Sequence, residues 1–250
     1  MNHIVNFSGG RTSAYLVYLM EKKRKNEGWD VEYVFADTTA EHPKTYEFVR
    51  NVVKHFNINL TCLRPAYSEK RGVGVRYSIV SIDDLKWSLD SIKEQVKIYG
   101  GFTINRPNCT SKMKCDTVDK YLSERWGKEN CFRWFGMRAD EPKRLKHKNL
   151  DRKINPHGIR YLAEISEYDK SDIVDWWSKM PFDLEIPEHL GNCVFCIKKS
   201  DKKVALAERD EPKLFKEWES AVTGDHVRLM PADRFGVGNI YRKWLTPKGL

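Results

Sequence analysis

No unbroken apolar stretch in the 250 residues approaches the ~20 that a membrane-spanning helix needs. Mean hydropathy is −0.64, so the expectation is a protein with no membrane contact. The opening residues, Met1 to Phe7, carry no basic run and no long apolar core. No signal peptide is therefore expected, and the expected address is the cytoplasm. Internal repeats and low-complexity tracts are also lacking. Cysteine is sparse: Cys62, Cys109, Cys115, Cys131, Cys193 and Cys196. Without an export signal these are not expected to form a disulfide framework. Aromatics at 12% and hydrophobics at 40% exclude a disordered chain.

Positive charge is in excess. Lys and Arg number 44 against 35 Asp and Glu, a formal net charge of +9. Such a balance favours anionic partners, namely nucleotides, nucleic acid or sulfated metabolites, and is also compatible with an ordinary basic surface. The excess is concentrated in Arg138–Arg160, a polar stretch that reads as a mobile loop and a candidate lid.

The first third alternates strands and helices. Ile4–Phe7 is a short apolar strand. A helix runs from about Thr12 to the basic Lys22–Lys25 and stops at Gly28. Val31–Ala36 alternates as a second strand, a helix opens at Pro43, and Ile58–Leu63 is a third strand. This order predicts an α/β fold with an open, mostly parallel twisted sheet and helices on both faces. Further along, helices are expected over Ile82–Ile98, Asp116–Trp126 and Asp201–Ala221, and strands over Cys131–Gly136 and Tyr161–Ile165. The expected organisation is a nucleotide-binding domain over 1–180 and an irregular, cysteine-bearing C-terminal extension over 181–250 packed on it.

Ser8-Gly9-Gly10-Arg11-Thr12-Ser13 lies between the first strand and the first helix. Glycines let backbone approach a phosphate, and the first amides of the helix with its positive dipole end bind the anion. Ser8, Thr12 and Ser13 add hydroxyls and Arg11 adds charge. An ordinary glycine turn is the alternative. The loop is neither Gly-x4-Gly-Lys-Ser/Thr nor Gly-x-Gly-x-x-Gly. Asp37 and Thr38 end the second strand, where open α/β sheets place ligand groups; a turn or capping role is the alternative for Asp37. Arg138, also at a strand end, has the guanidinium geometry for bidentate phosphate binding, or is a surface arginine in a basic loop.

Cys193-Val194-Phe195-Cys196 brings two thiolates to one metal or cluster. Cys109 and Cys115 complete a candidate set of four soft ligands, which suits zinc or an iron–sulfur cluster. Cys62 and Cys131 lie in strands and read as small core residues.

The phosphate loop resembles the PP-loop, Ser-Gly-Gly-x-Asp-Ser, of ATP pyrophosphatases. Thr12 stands where that family carries Asp, and Arg11 where Lys is frequent. Residues Phe35 to Val49 are similar to the Asp-Thr-Gly, Pro, Thr-Tyr-x-Phe segment of the phosphoadenosine phosphosulfate (PAPS) reductase family. Gly136 to Arg144 resembles its Gly-x-Arg-x-x-Glu-x-x-Arg segment, Asn108 to Lys112 its cysteine segment, and Gly191 to Cys196 its later paired cysteines. The matches run in order from residue 4 to about 200.

The resemblance implies an adenine nucleotide α-hydrolase-like fold, ATP with Mg2+, and a [4Fe-4S] cluster, zinc being the alternative. It implies a catalytic role for Arg11 and Arg138, closest in character to DNA phosphorothioation and tRNA thiolation enzymes. The implied activity is cleavage of ATP to AMP and pyrophosphate to activate an acceptor, DNA or tRNA, for sulfur transfer from a donor protein. A reductase acting on PAPS is the first alternative; the C-terminal cysteine nucleophile of such enzymes has no counterpart after Cys196. A non-catalytic protein that binds nucleotide and nucleic acid is the second.

Overall fold

The computed structural model describes residues 2–68, 73–102, 108–127, 130–145 and 158–228. Six strands form one sheet in the order β4-β3-β2-β1-β5-β6. They are β1 (Asn2–Asn6), β2 (Val31–Ala36), β3 (Leu60–Tyr67), β4 (Val75–Val80), β5 (Cys131–Phe135) and β6 (Ile159–Tyr161). All neighbours pair in parallel except β3 and β4. The fold is the expected α/β one. The antiparallel edge strand β4 was not expected. Its exposed positions, including Ile79, do not alternate cleanly enough to announce a strand.

Helices cover both faces, and β1 shows why. Its successive side chains point to opposite faces, and both faces are apolar. Val5 joins a large cluster with Leu16, Val17 and Met20 of α1 (Arg11–Glu27) and Val49 and Val52 of α2 (Pro43–Phe56). Ile4 joins a second cluster with Val34, Leu63 and Val118 and Leu122 of α4 (Thr117–Trp126). The larger cluster continues without a break to Phe195, Trp218 and Val222, so the C-terminal helices α7 (Asp201–Asp210) and α8 (Pro212–Thr223) share the core of the first half. Cys62 and Cys131 are buried core residues.

Two long helices expected from the sequence are interrupted. Ile82–Asp84 is a single 3-10 turn. Leu89 then takes a left-handed conformation (φ 61°) before α3 (Asp90–Tyr99). Α7 and α8 are separated at Glu211, because Pro212 disfavours a helical residue before it. The short α5 (Pro142–Leu145) and α6 (Lys170–Ser178) complete the set. The basic stretch expected over Arg138–Arg160 falls mostly outside the described residues, at 146–157.

At the start of β1, His3 is stacked on Trp29, ring centroids 4.0 Å apart, and its Nδ1 accepts a hydrogen bond from Trp134 Nε1 at 3.0 Å. Burial, chiefly, lowers its pKa to about 4. The unfolded chain, with an ordinary imidazole, therefore binds the proton first. Stability contributed here is full above pH ~6.5 and is lost as the pH falls toward 4. An NMR titration of the His3 ring should show a midpoint near 4, and a midpoint near 6.5 would refute the burial argument.

Candidate nucleotide site and the cysteine loop

The carboxyl ends of β1, β2 and β5 converge on the loop between β1 and α1. Gly9 has φ +77°, a left-handed conformation that an L side chain resists. A Cβ at Gly9 would stand 2.8 Å from Thr45 Cγ2, so the loop lies directly under α2. At Gly136, just after β5, a Cβ would stand 2.9 Å from Ser13 Cα and 3.0 Å from its backbone nitrogen. Glycine is thus required on both sides of the helix start. Gly10, which caps α1, is different: its nearest neighbour would be Ser8 Oγ at 4.0 Å, and its φ is −100°. The structure places the steric demand on Gly9 and Gly136, not on Gly10.

No side chain caps α1. The hydroxyl of Ser13 bonds instead to Gly10 O (2.9 Å) and receives Ser8 N–H (3.2 Å), and Ser8 Oγ lies 3.0 Å from Ser13 Oγ. These bonds hold the loop's curvature and leave the first amides of α1 to an incoming anion. Arg138 reaches the same place. Its Nη1 donates to Thr12 Oγ1 at 3.3 Å, while Nε and Nη2 hold Asp140 at 2.8 and 3.0 Å. Thr12 and Arg138, 126 residues apart, therefore meet at the helix start.

Arg11 points elsewhere. Its Nε and Nη2 bind both oxygens of Asp183 at 2.7 and 2.9 Å, and Nη2 also donates to Leu184 O. Trp177 Nε1 donates to Arg11 O at 2.9 Å. The guanidinium is committed to the segment before the cysteine loop, and in this conformation supplies no charge to the phosphate loop. Asp183 lies 172 residues away, and nothing local in the sequence marks it as the partner.

Asp37 is fully buried. One oxygen accepts from Thr39 N (2.8 Å) and Tyr46 Oη (3.0 Å), the other from Arg64 Nε (3.0 Å) and Nη2 (2.7 Å). Burial, the largest influence, raises its pKa against these donors. Every direction of this carboxylate is used, so it shapes the loop after β2 and offers nothing to a ligand.

Thr38 Oγ1 donates to Glu41 Oε1 (3.2 Å) and lies 3.4 Å from Cys193 Sγ. Lys114 Nζ (3.3 Å) and the Cys193 thiol (3.5 Å) donate to the same Glu41 oxygen. Val194 N–H to Ala40 O (3.0 Å) fastens the cysteine loop beside β2. Glu41, Lys114 and Asp183 are the members of this region that sequence reasoning passed over. Glu41 lay inside a quoted segment and could have been found as a carboxylate before a helix.

The four cysteines do not gather. Cys109, Cys193 and Cys196 neighbour one another, whereas Cys115 is set among Arg133, Asp119 and Asp116. Cys109 and Cys115 share a π-helical segment, Cys109–Asp116, but their separation is about a turn and a third of such a helix, so they leave it on different sides. Among the described residues no group of three or more His, Cys, Asp or Glu side chains is placed to hold a metal ion. Cys115 therefore stands apart from the other three expected ligands, and the four do not form one site in this arrangement.

An open, mostly parallel sheet with a glycine loop and an uncapped helix start at its carboxyl edge defines an α/β protein of the doubly wound kind. The chain belongs to the PAPS reductase family. The phosphoadenosine phosphosulfate reductase domain matches residues 2–231, reaching past the segments that carried the resemblance. The chain is 47% identical over 231 residues to the uncharacterized nin region protein ORF290 of Escherichia phage lambda, covering 91% of this chain and 77% of that protein. It is 30% identical over 109 residues to an uncharacterized protein of Methanocaldococcus jannaschii, covering 39% of this chain and 24% of the relative. Among the described residues no helix is long and apolar enough to cross a membrane.

Proposed function

We propose that the protein is an ATP-dependent activating enzyme that forms AMP and pyrophosphate and prepares a nucleic acid for sulfur transfer. The observation that carries the reading is the uncapped start of α1, with Arg138 against Thr12 and Gly9 and Gly136 stripped of side chains around it. An acceptor oxygen attacks the α-phosphorus of ATP, pyrophosphate leaves with the bonding electrons, and the acceptor becomes adenylylated. The α1 amides and the Arg138 guanidinium stabilise the charge that develops on the leaving group. Mg2+ arrives with the substrate, as the counter-ion of its phosphates. A sulfur nucleophile from a donor protein then displaces AMP. Residues 197–250 hold no cysteine, so within them no thiol is available to attack a sulfated nucleotide.

Lys143 and Arg144, in the exposed α5 just beyond Arg138, supply part of a surface for DNA or tRNA. Binding that neutralises phosphates releases counterions and weakens steeply with salt. The test is incubation of the purified protein with α-labelled ATP, Mg2+, sulfide as the sulfur nucleophile and either DNA or tRNA, with labelled AMP and unlabelled pyrophosphate both measured. AMP and pyrophosphate in equal amounts, dependent on acceptor, are expected. Tight PAPS binding with no AMP formed from ATP would instead establish the reductase reading.

A further inference from the structure

From Ile197 to Lys203 the chain reads Ile-Lys-Lys-Ser-Asp-Lys-Lys, four cations against one carboxylate. This run joins the cysteine loop to α7. Lys199 is turned inward, where its Nζ donates to His189 O (2.6 Å) and Val194 O (2.7 Å) and closes the loop. The other three lysines are not used in this way. Lys203 Nζ binds Glu188 Oε1 at 2.6 Å, and Lys170, the first residue of α6, binds Glu188 Oε2 at 2.8 Å. The bonds from Lys170 and Lys203 hold the pKa of Glu188 at about 2, so it is ionised at any working pH. One carboxylate against two ammonium groups leaves a positive charge over. Lys198 and Lys202 are exposed and join no ion pair among the described residues. Stability does not account for these cations. Lys170, Lys202 and Lys203 stand in the first turn of a helix, where the helix dipole disfavours positive charge. Their place borders the candidate site. Asp169, next to Lys170, lies within the field of the Arg138 guanidinium, and Val194 N–H to Ala40 O fixes the cysteine loop at the end of β2.

We propose that Lys170, Lys203, Lys202 and Lys198 form a docking strip for the phosphate backbone of a double-helical nucleic acid, duplex DNA or the stems of tRNA. The proposal rests on the reading that the acceptor is a nucleic acid, and gives that acceptor a second contact besides Lys143 and Arg144. Ammonium groups on flexible stems meet phosphates as point charges and read no base, so the strip holds the acceptor without regard to sequence. Glu188 occupies two of the four and weakens the strip.

The experiment measures binding of a fluorescein-labelled DNA duplex and of labelled tRNA across a range of salt, beside ATP affinity and the thermal midpoint of each variant. Lys198→Gln with Lys202→Gln should reduce the slope of log K against log salt by about 2, and substitution of all four lysines by about 3–4. Midpoint and ATP affinity should stay as in the parent, because none of the four is buried and none bonds to the phosphate loop. Glu188→Gln should bind both probes about two- to fivefold more tightly, since it releases Lys170 and Lys203. A slope that survives substitution of all four overturns the proposal and leaves the acceptor reading in place, provided the parent binds. Glu188→Gln that binds no more tightly than the parent also overturns it. A parent chain that binds neither probe overturns the acceptor reading, and the proposal with it.

Discussion

Gly9→Ala and Gly136→Ala are each expected to unseat the phosphate loop and abolish nucleotide binding, whereas Gly10→Ala should fold normally. The argument is steric. Alanine at Gly9 must hold φ +77° and place Cβ 2.8 Å from Thr45 Cγ2 and 3.3 Å from Val49 Cγ2. Left-handed strain is worth about 1–2 kcal/mol and overpacking another 1–3. The sum, roughly 2–5 kcal/mol, lowers the melting temperature by roughly 4–20 °C in a chain of this size. At Gly136 the obstacle is the backbone of Ser13 itself, so α1 must move as a body and carry its first amides off the phosphate position. Thermal unfolding and ATP titration of the three variants check this. A Gly136→Ala protein that melted and bound like the parent would refute the packing described for α1 against β5.

The second large effect is expected at Asp37. Asp37→Ala should destabilise the fold by about 3–5 kcal/mol, read as a lowered urea midpoint at unchanged slope. Its removal strands the Arg64 guanidinium, the Tyr46 hydroxyl and the Thr39 amide, all of which now end on one carboxylate. Asp37→Asn should cost less. Its carbonyl oxygen can still accept from Thr39 and Tyr46, while its NH2 group, facing Arg64, gives up both of that guanidinium's bonds. The order of the two variants carries the test. If Asp37→Asn kept full stability and lost only ATP binding, the carboxylate would be a ligand group after all, as its place at a strand end suggested.

That contrast shows where sequence reading stopped. Asp37 ends a parallel strand in both descriptions, and the strand itself was legible from Val31, Tyr33 and Phe35. What could not be read was Arg64, on the neighbouring strand, turning toward it. Arg11 repeats the lesson. Its place in the loop suggested a phosphate contact, and its bond is to Asp183 across the molecule. The cysteines repeat it again. A Cys-x2-Cys pair is a spacing signal, but whether Cys115 joins it depends on how a π-helical segment is rotated against β5.

The sequence by itself determined the βαβαβ start, the parallel sheet and the glycine loop that feeds α1. Each depends on local periodicity, glycine freedom and helix-start chemistry within a dozen residues. Tertiary structure alone decided which charges are already paired and which glycines carry the steric demand. Those outcomes depend on groups brought together from distant parts of the chain, such as Arg11 with Asp183, Thr12 with Arg138 and Gly136 with Ser13. Pairing of this kind follows from packing geometry and the desolvation of buried polar groups, which no local pattern records.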